Sequence, residues 1–171
     1  AAEIRQRPGA GLYMMEVAGR EVAMHALHYH PETVLVFCGS GNNGGDGLQA
    51  AAVLQTAGYH TSVHWLGQPE TCSADTLAAW QAAHRAGVQF VDGTPPTLGS
   101  HDLAIDALLG IGASPRSTPA DFHSPLHQLL QWLHLCPAPV LCVDLPSGLQ
   151  ADTGQCLPGL GFETLPRSPR H

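Results

Sequence analysis

The stretch VLVFCGSGNNGGDGLQAA, residues 34 to 51, decides the fold of this chain. A continuous apolar run ends at Gly39, and residues 39 to 47 contain five glycines, two asparagines and one aspartate. The β-branched run predicts a strand that is buried on both faces. The small residues from 46 to 57 predict a helix. A glycine loop between the two would let backbone N–H groups approach an anion, helped by the partial positive charge of the helix N-terminus.

Residues 39 to 44 also match GxGxxG, the pattern of dinucleotide-binding loops. This match is weak by itself, because the acidic residue that usually follows about twenty residues later to bind the ribose is not obvious. A tight turn that needs positive φ is the alternative explanation of the glycines. Asn42, Asn43 and Asp46 favour a binding site, because they supply side-chain oxygens that a simple turn does not need.

Helical and strand patterns alternate along the rest of the chain. Helices are predicted at 12–27, 46–57, 74–86 and from Ser124 and Pro125 onward, and strands at 33–39, 61–67, 88–91, 101–110 and 138–148. This alternation predicts a parallel sheet covered on both faces, with ligands outside the carboxyl ends of the strands. Asp106 and Asp144 fall at such ends, as do residues 42 to 46. We therefore predict a site at that edge.

Composition restricts the function classes. The chain of 171 residues corresponds to one domain, and no apolar run approaches the length of a membrane span, so we expect a soluble protein with no membrane partner. The net charge of −7 argues against nucleic-acid binding. The sequence has no Lys, which excludes a Schiff base and a P-loop lysine. The five Cys form no CxxC pair and indicate a reducing compartment.

Three motifs, of which the glycine stretch is the first, carry a resemblance to a known family. In order and spacing, GSGNNGGDG (39–47), DALLGIG (106–112) and VDLPSGLQADTG (143–154) resemble the YjeF N-terminal domain, the NAD(P)H-hydrate epimerase family. The resemblance extends back to LYMMEVAG (12–19) and covers roughly residues 10 to 158. It implies an α/β fold, a Rossmann-like three-layer α/β/α sandwich with a mostly parallel sheet. We expect this domain to span residues 1–158.

The resemblance implies a substrate and the residues that bind it. The family interconverts the R and S forms, at C6, of hydrated NADH and NADPH (NADHX and NADPHX), and a separate ATP-dependent dehydratase then acts on the S form. Asp144 corresponds to the catalytic or substrate-contacting aspartate. The implied substrate-binding residues are Asn42, Asn43, Gly44, Gly45, Asp46, Gly110, Ile111, Gly112, Ala113, Ser114, Pro115, Arg116 and Asp144.

A carboxyl group at Asp144 suits this reaction. C6 carries a hydroxyl and the ring nitrogen, so loss of water gives a cation delocalised onto nitrogen, and water can return from either face. A carboxylic acid can protonate the leaving oxygen, and its carboxylate can stabilise the cation and accept a proton from incoming water. Ring opening through the same carboxyl is an alternative route. An aspartate that only caps the turn beside Pro146 is the structural alternative.

The resemblance also implies one K⁺ per subunit, bound by Asn43, Asp106 and Ser147. All three supply oxygen ligands, which suit a hard cation, and a cation would explain a charged Asp106 at the end of an apolar strand. A hydrogen-bonded Asp–Asn pair without a metal is the alternative.

The C-terminal segment departs from the family pattern. Residues 159–171 are rich in Pro and Arg, lack a strand-length apolar run and are expected to be a disordered tail, as in a C-terminally truncated member. A non-catalytic binding or interaction module on the same fold is therefore the alternative function, and an ordinary NAD-linked oxidoreductase is a third. Family members are often homodimers, and we expect a cytoplasmic location, with a mitochondrial one left open.

Overall fold

A computed structural model describes residues 9–113 and 124–157 of this protein. These residues form four helices and five strands. In chain order they are α1 (Ala10–Leu27), β1 (Thr33–Cys38), α2 (Asn42–Thr56), β2 (His60–Trp65), α3 (Ala74–Arg85), β3 (Gln89–Phe90), β4 (Leu103–Ala107), α4 (Pro125–Leu135) and β5 (Val140–Cys142). Each predicted helix and strand is present, and the strands are shorter than predicted at their ends.

The five strands of the described residues make one sheet in the order β3-β2-β1-β4-β5, with every pair parallel. β1 lies in the centre, where it pairs with β2 on one side and with β4 on the other. The chain leaves β1 towards one edge and returns at β4 to build the other. The carboxyl ends of β1 and β4 therefore border the crevice at which open α/β sheets bind ligands.

The alternating side chains of β1 separate two hydrophobic cores. Val34, Val36 and Cys38 pack into a core shared with α1, α2 and α3. Leu35 and Phe37 pack into a second core shared with α4 on the other face of the sheet. All five side chains are buried, as expected for a central parallel strand covered on both sides. The predicted three-layer α/β/α sandwich is confirmed.

The predicted start of α2 at residue 46 is wrong. The helix begins at Asn42, so the segment from Asn42 to Asp46 is the first part of a helix and not a loop. The sequence misleads here because glycine is among the poorest helix formers. Tertiary packing prevails over this preference, since Gly44, Gly45 and Gly47 are all buried beneath the rest of the molecule.

The described helices do not include one that is both long enough and apolar enough to cross a membrane. The predicted tail, residues 159–171, lies outside the described residues, and so do Ser114, Pro115 and Arg116. The boundary at residue 158 stays a prediction.

Candidate active site

A cleft of about 920 Å³ opens at the carboxyl edge of the sheet, beside the ends of β1 and β4. One wall is α1 and the start of α2, and the other is the loop after β4 together with β5 and the two residues that follow it, Val143 and Asp144. Most of the predicted substrate-binding residues line it: Asn42, Asn43, Asp46, Gly110, Ile111, Gly112, Ala113 and Asp144. Gly44 and Gly45 are buried in the first turns of α2. The cleft therefore gathers residues from three separate motifs of the sequence.

The glycines at this junction serve close packing. The glycines from 39 to 47 all have φ outside the positive range, so the explanation by a tight turn with positive φ is wrong. A Cβ atom at Gly44 would overlap the carbonyl oxygen of Gly39, and a Cβ atom at Gly39 would overlap that of Leu108. The glycines thus let the start of α2 approach the ends of β1 and β4 more closely than any side chain would allow.

The N-terminus of α2 lacks a side-chain cap. Its N-cap residue is Gly41, which has extended backbone geometry, and no side chain accepts a hydrogen bond there. Gly45 is the first residue of α2 whose backbone N–H bonds back along the helix, to the carbonyl of Gly41 at 3.1 Å. The preceding N–H groups are those that every helix leaves without an intrahelical acceptor. Together with the partial positive charge of the helix N-terminus, these N–H groups are open to an anion in the cleft.

Asp144 is exposed on the opposite wall. Its Oδ2 accepts a hydrogen bond of 2.8 Å from the backbone N–H of Ile111, in the loop that follows β4. A Cβ atom at Gly110 would lie 3.1 Å from this same oxygen and 3.1 Å from the Cβ of Asn43, so the glycine keeps the space between them open. Within the described residues, the carboxylate of Asp144 is thus bonded to the neighbouring loop after β4 and not to the turn beside Pro146.

Asp46 is the second carboxyl group of the cleft, and its surroundings differ from those of Asp144. Its side chain is half-buried, and burial raises the pKa of Asp46 to about 6, with a further contribution from the negative charge of Asp144. Among the described residues no hydrogen bond to the Asp46 carboxyl group offsets this burial. The two aspartates of the cleft therefore interact electrostatically, and Asp46 holds its proton more strongly than an ordinary aspartate does.

Asp106 lies beneath the cleft and is only 4% exposed. Ser147 donates to it twice, from its backbone N–H to Oδ2 at 2.8 Å and from its hydroxyl to Oδ1 at 2.6 Å. The backbone N–H of Leu108 donates to Oδ1 at 3.2 Å. Burial raises the pKa of Asp106, and these hydrogen bonds oppose that rise. Two of the three predicted metal ligands, Asp106 and Ser147, are therefore in direct contact.

Asn43, the third predicted ligand, carries an unpartnered group. Its Nδ2 is buried and makes no hydrogen bond. Within the described residues, Asp106 accepts hydrogen bonds from Leu108 and Ser147 and none from Asn43. These residues therefore do not form the alternative, a hydrogen-bonded Asp106–Asn43 pair. A buried amide without a partner is uncommon and calls for a physical explanation.

The sequence did not predict the part of α1 that lines the cleft. Ala18, Glu21, Val22 and His25 all face it, and Glu21 and His25 are exposed. Their spacing places them on one side of a helix, but nothing in the local sequence indicates that this side borders the cleft. The indole of Trp65 was missed as well. It donates a 3.1 Å hydrogen bond to the carbonyl of Gly39 and thereby holds the glycine junction.

The fold and the cleft define an α/β protein with a ligand site at the switch point of a parallel sheet. Comparison with known proteins identifies the family. The family described as YjeF-related protein N-terminus matches residues 11–161. The chain belongs to this family.

Individual relatives agree with the family match. The chain is 32% identical over 147 residues to the NAD(P)H-hydrate epimerase of Oenococcus oeni, a match that covers 84% of this chain and 67% of the relative. It is 32% identical to the bifunctional NAD(P)H-hydrate repair enzyme Nnr of Salinibacter ruber, where 84% of this chain matches 29% of the relative. The crystal structure of yeast ynu0 superposes with a TM-score of 0.65 at 25% identity, covering 86% of this chain and 68% of the yeast chain.

Proposed function

We propose that this protein is an NAD(P)H-hydrate epimerase, an isomerase that interconverts the R and S forms of hydrated NADH and NADPH at C6. The observation that carries the proposal is the placement of Asp144, an exposed carboxylate facing an uncapped helix N-terminus across one cleft. A separate ATP-dependent dehydratase would then act on the S form. Relatives named as epimerases and as a bifunctional repair enzyme support both the reaction and its place in nicotinamide nucleotide repair.

The cleft suits a dinucleotide. Its volume of about 920 Å³ lies within the range of small-molecule sites, at the upper end. The free N–H groups at the start of α2 offer a position for the diphosphate, which would be held by backbone donors and not by Lys. With the diphosphate there, the hydrated ring would extend towards Asp144 on the opposite wall.

Asp144 would act on the hemiaminal carbon. The hydrogen bond from the Ile111 N–H holds the Asp144 carboxylate in place, and this carboxylate can stabilise the C6 cation electrostatically and accept a proton from attacking water. The exposure of Asp144 leaves room for that water. Ring opening at the same carbon is the alternative route, and it differs in that the original oxygen stays on C6.

We further propose that Asn43, Asp106 and Ser147 bind one K⁺. Three observations support this: a buried carboxylate, a hydroxyl oxygen in contact with it, and an Asn43 amide whose Nδ2 lacks a partner. If the amide is turned over, its oxygen takes the position of the unpartnered nitrogen and can contribute to a cation site. A monovalent cation bound there would supply positive charge beneath the cleft and offset the charge of Asp106.

The function is tested by epimerisation of purified R-form NADH hydrate in potassium buffer, followed by chromatography of the R and S forms. We expect a rate well above the reaction without enzyme, reduced about 100-fold or more in Asp144→Asn. Circular dichroism confirms that both proteins are folded.

A folded wild-type protein that leaves the R-to-S rate unchanged would contradict the epimerase and leave the non-catalytic binding module. Oxidation of intact NADH in the presence of carbonyl compounds would instead favour an oxidoreductase. Replacing potassium by a large organic cation in the same assay tests the metal proposal, for which we expect a lower rate. A homodimer and a cytoplasmic location stay predictions.

A further inference from the structure

Epimerisation at C6 by loss and return of water takes place on two faces of one ring. The hydroxyl leaves from one face as a proton reaches its oxygen, and water must attack the opposite face as it gives up a proton. A single carboxyl group lies on one side of a planar cation. It therefore cannot reach both oxygens directly, and a second acid or base on the other side would assist the proton transfer there.

The cleft contains such a second group. Asp46 belongs to α2 and Asp144 follows β5, so the cleft is lined by two carboxyl groups from separate elements, and we expect a bound ring to lie between them. The two carboxyl groups are close enough for the charge of Asp144 to act on Asp46. The other titratable side chains of the described lining are Glu21 and His25 of α1, which are exposed, and Cys142 of β5, whose thiol pKa is raised to about 12 by burial and by the charge of Asp106.

The surroundings of Asp46 suit a general acid. Asp46 is half-buried without a hydrogen bond of its own in the described structure, and this burial raises the pKa of Asp46 to about 6, with a further contribution from the charge of Asp144. Asp144 is exposed and accepts a hydrogen bond from the backbone N–H of Ile111, so its carboxyl group is open to water. A carboxyl group that keeps its proton to a higher pH than usual, beside a second carboxyl group in the same site, is a common arrangement in acid–base catalysis.

We propose that Asp46 is a second catalytic residue, which acts as the acid on one face of C6 while Asp144 acts as the base on the other. This inference rests on the epimerase function proposed above. It gives Asp46 a role in the chemical step in addition to contact with substrate.

The step balances as follows. The carboxylic acid of Asp46 gives its proton to the C6 hydroxyl oxygen, the C6–O bond breaks, and the oxygen leaves as water with the bonding electron pair. The lone pair of the ring nitrogen stabilises the resulting cation. A second water forms a new C6–O bond on the opposite face and gives its proton to the carboxylate of Asp144. The two carboxyl groups have now exchanged protonation states, and solvent water restores them before the next turnover.

The reverse reaction uses the same two groups with their roles exchanged, as microscopic reversibility demands. The hydroxyl of the S form takes a proton from Asp144, which is protonated at that stage, and leaves as water, and Asp46 accepts the proton of the incoming water. The pair therefore serves both directions without any further group.

The first experiment follows epimerisation by wild-type protein in water enriched in ¹⁸O. We expect one solvent oxygen at C6 for each epimerisation, because the original hydroxyl leaves. Epimerisation that retains the original oxygen would show ring opening and would overturn the two-aspartate mechanism while leaving the epimerase function intact. Wild-type protein without any epimerase activity would overturn both proposals.

The second experiment compares Asp46→Asn, Asp46→Glu and a matched control, Asp92→Asn, in which an exposed aspartate outside the cleft lining receives the same change. We expect kcat to fall about 100-fold in Asp46→Asn with KM nearly unchanged, to recover in part in Asp46→Glu, and to be unaffected in the control. A rise in KM at unchanged kcat would assign Asp46 to substrate binding alone and overturn its catalytic role. If Asp46→Asn is unfolded by circular dichroism, the Asp46→Glu variant and the oxygen exchange decide the question.

Discussion

Two helices of this protein begin in opposite ways. α4 begins with Ser124, whose side chain accepts a 3.2 Å hydrogen bond from the N–H of His127, and Pro125 occupies its first turn. α2 begins with Gly41, which offers no side-chain acceptor, and its first turns carry Asn42, Asn43 and buried glycines in place of good helix formers. Both helices follow a stretch that leaves the carboxyl edge of the sheet, so location by itself does not explain the difference.

The difference separates a helix start whose donors are satisfied within the chain from one whose donors are open to a ligand. At α4 the chain satisfies its own backbone donor, as at most helix N-termini. At α2 the first backbone N–H groups have no side-chain cap and lie beside the cleft. The position of this helix is fixed by the close packing of its glycines against the ends of β1 and β4. Stability at α2 thus comes from tertiary contact, while the free N–H groups stay available to an anion. The following predictions test this contrast.

The largest effect on stability is expected for Gly44→Ala. The added Cβ atom would overlap the carbonyl oxygen of Gly39, and because both groups are backbone, neither can move aside. We expect a loss of about 3 kcal/mol in the free energy of unfolding, measured by urea titration. Gly41→Ala is the matched control, since nothing lies within 4 Å of its Cβ position, and it should lose about 0.5 kcal/mol or less. Equal losses in the two variants would show that packing does not hold the start of α2.

A smaller loss is expected for Ser124→Ala, which removes the cap of α4. The free energy of unfolding should fall by about 1 kcal/mol, because the N–H of His127 loses its acceptor. Without denaturant, the folded variant should epimerise the hydrate at the wild-type rate. A changed kcat or KM would mean that α4 communicates with the cleft and that the structural assignment of its N-terminus is wrong.

Asp46→Asn should stabilise the protein in a pH-dependent manner. The pKa of Asp46 is raised to about 6 in the folded protein, above the usual 3.8, so the folded state is penalised at pH values above about 6 and the penalty disappears towards pH 4. The variant should therefore exceed the wild type by about 1 kcal/mol at pH 7, allowing for solvent screening at this half-exposed group. The difference, measured by urea unfolding at both pH values, should vanish near pH 4. A stability difference between the variant and the wild type that does not change with pH would contradict the raised pKa of Asp46.

The smallest effect is expected for Gly41→Ser, which gives α2 the cap that α4 already has. The serine hydroxyl should accept a hydrogen bond from the first turn and raise the free energy of unfolding by a few tenths of a kcal/mol. The same bond would compete with an anion for the donors, so KM for the hydrate should rise about threefold. Gly41→Ala, which lacks the hydroxyl, should leave KM nearly unchanged. Equal KM values in the two variants would show that the N–H groups of α2 do not bind substrate.

The sequence by itself determined the order of the elements, the parallel sheet and the edge at which the site lies. The apolar run of β1, the Ser124–Pro125 start of α4 and the aspartates at the ends of β4 and β5 are local patterns, and local patterns suffice to predict them. The motifs around Asn43, Asp106 and Asp144 were also enough to predict the family.

Only the tertiary structure decided how these parts meet. It placed the start of α2 at Asn42, because the glycines allow the helix to pack closely against Gly39 and do not form a turn of the chain. It also brought Glu21 and His25 of α1 to the cleft and set Asp46 against Asp144. Residues far apart in sequence carry no mutual signal in a single chain, and burial and electrostatic interaction arise only when the sheet brings them to one edge.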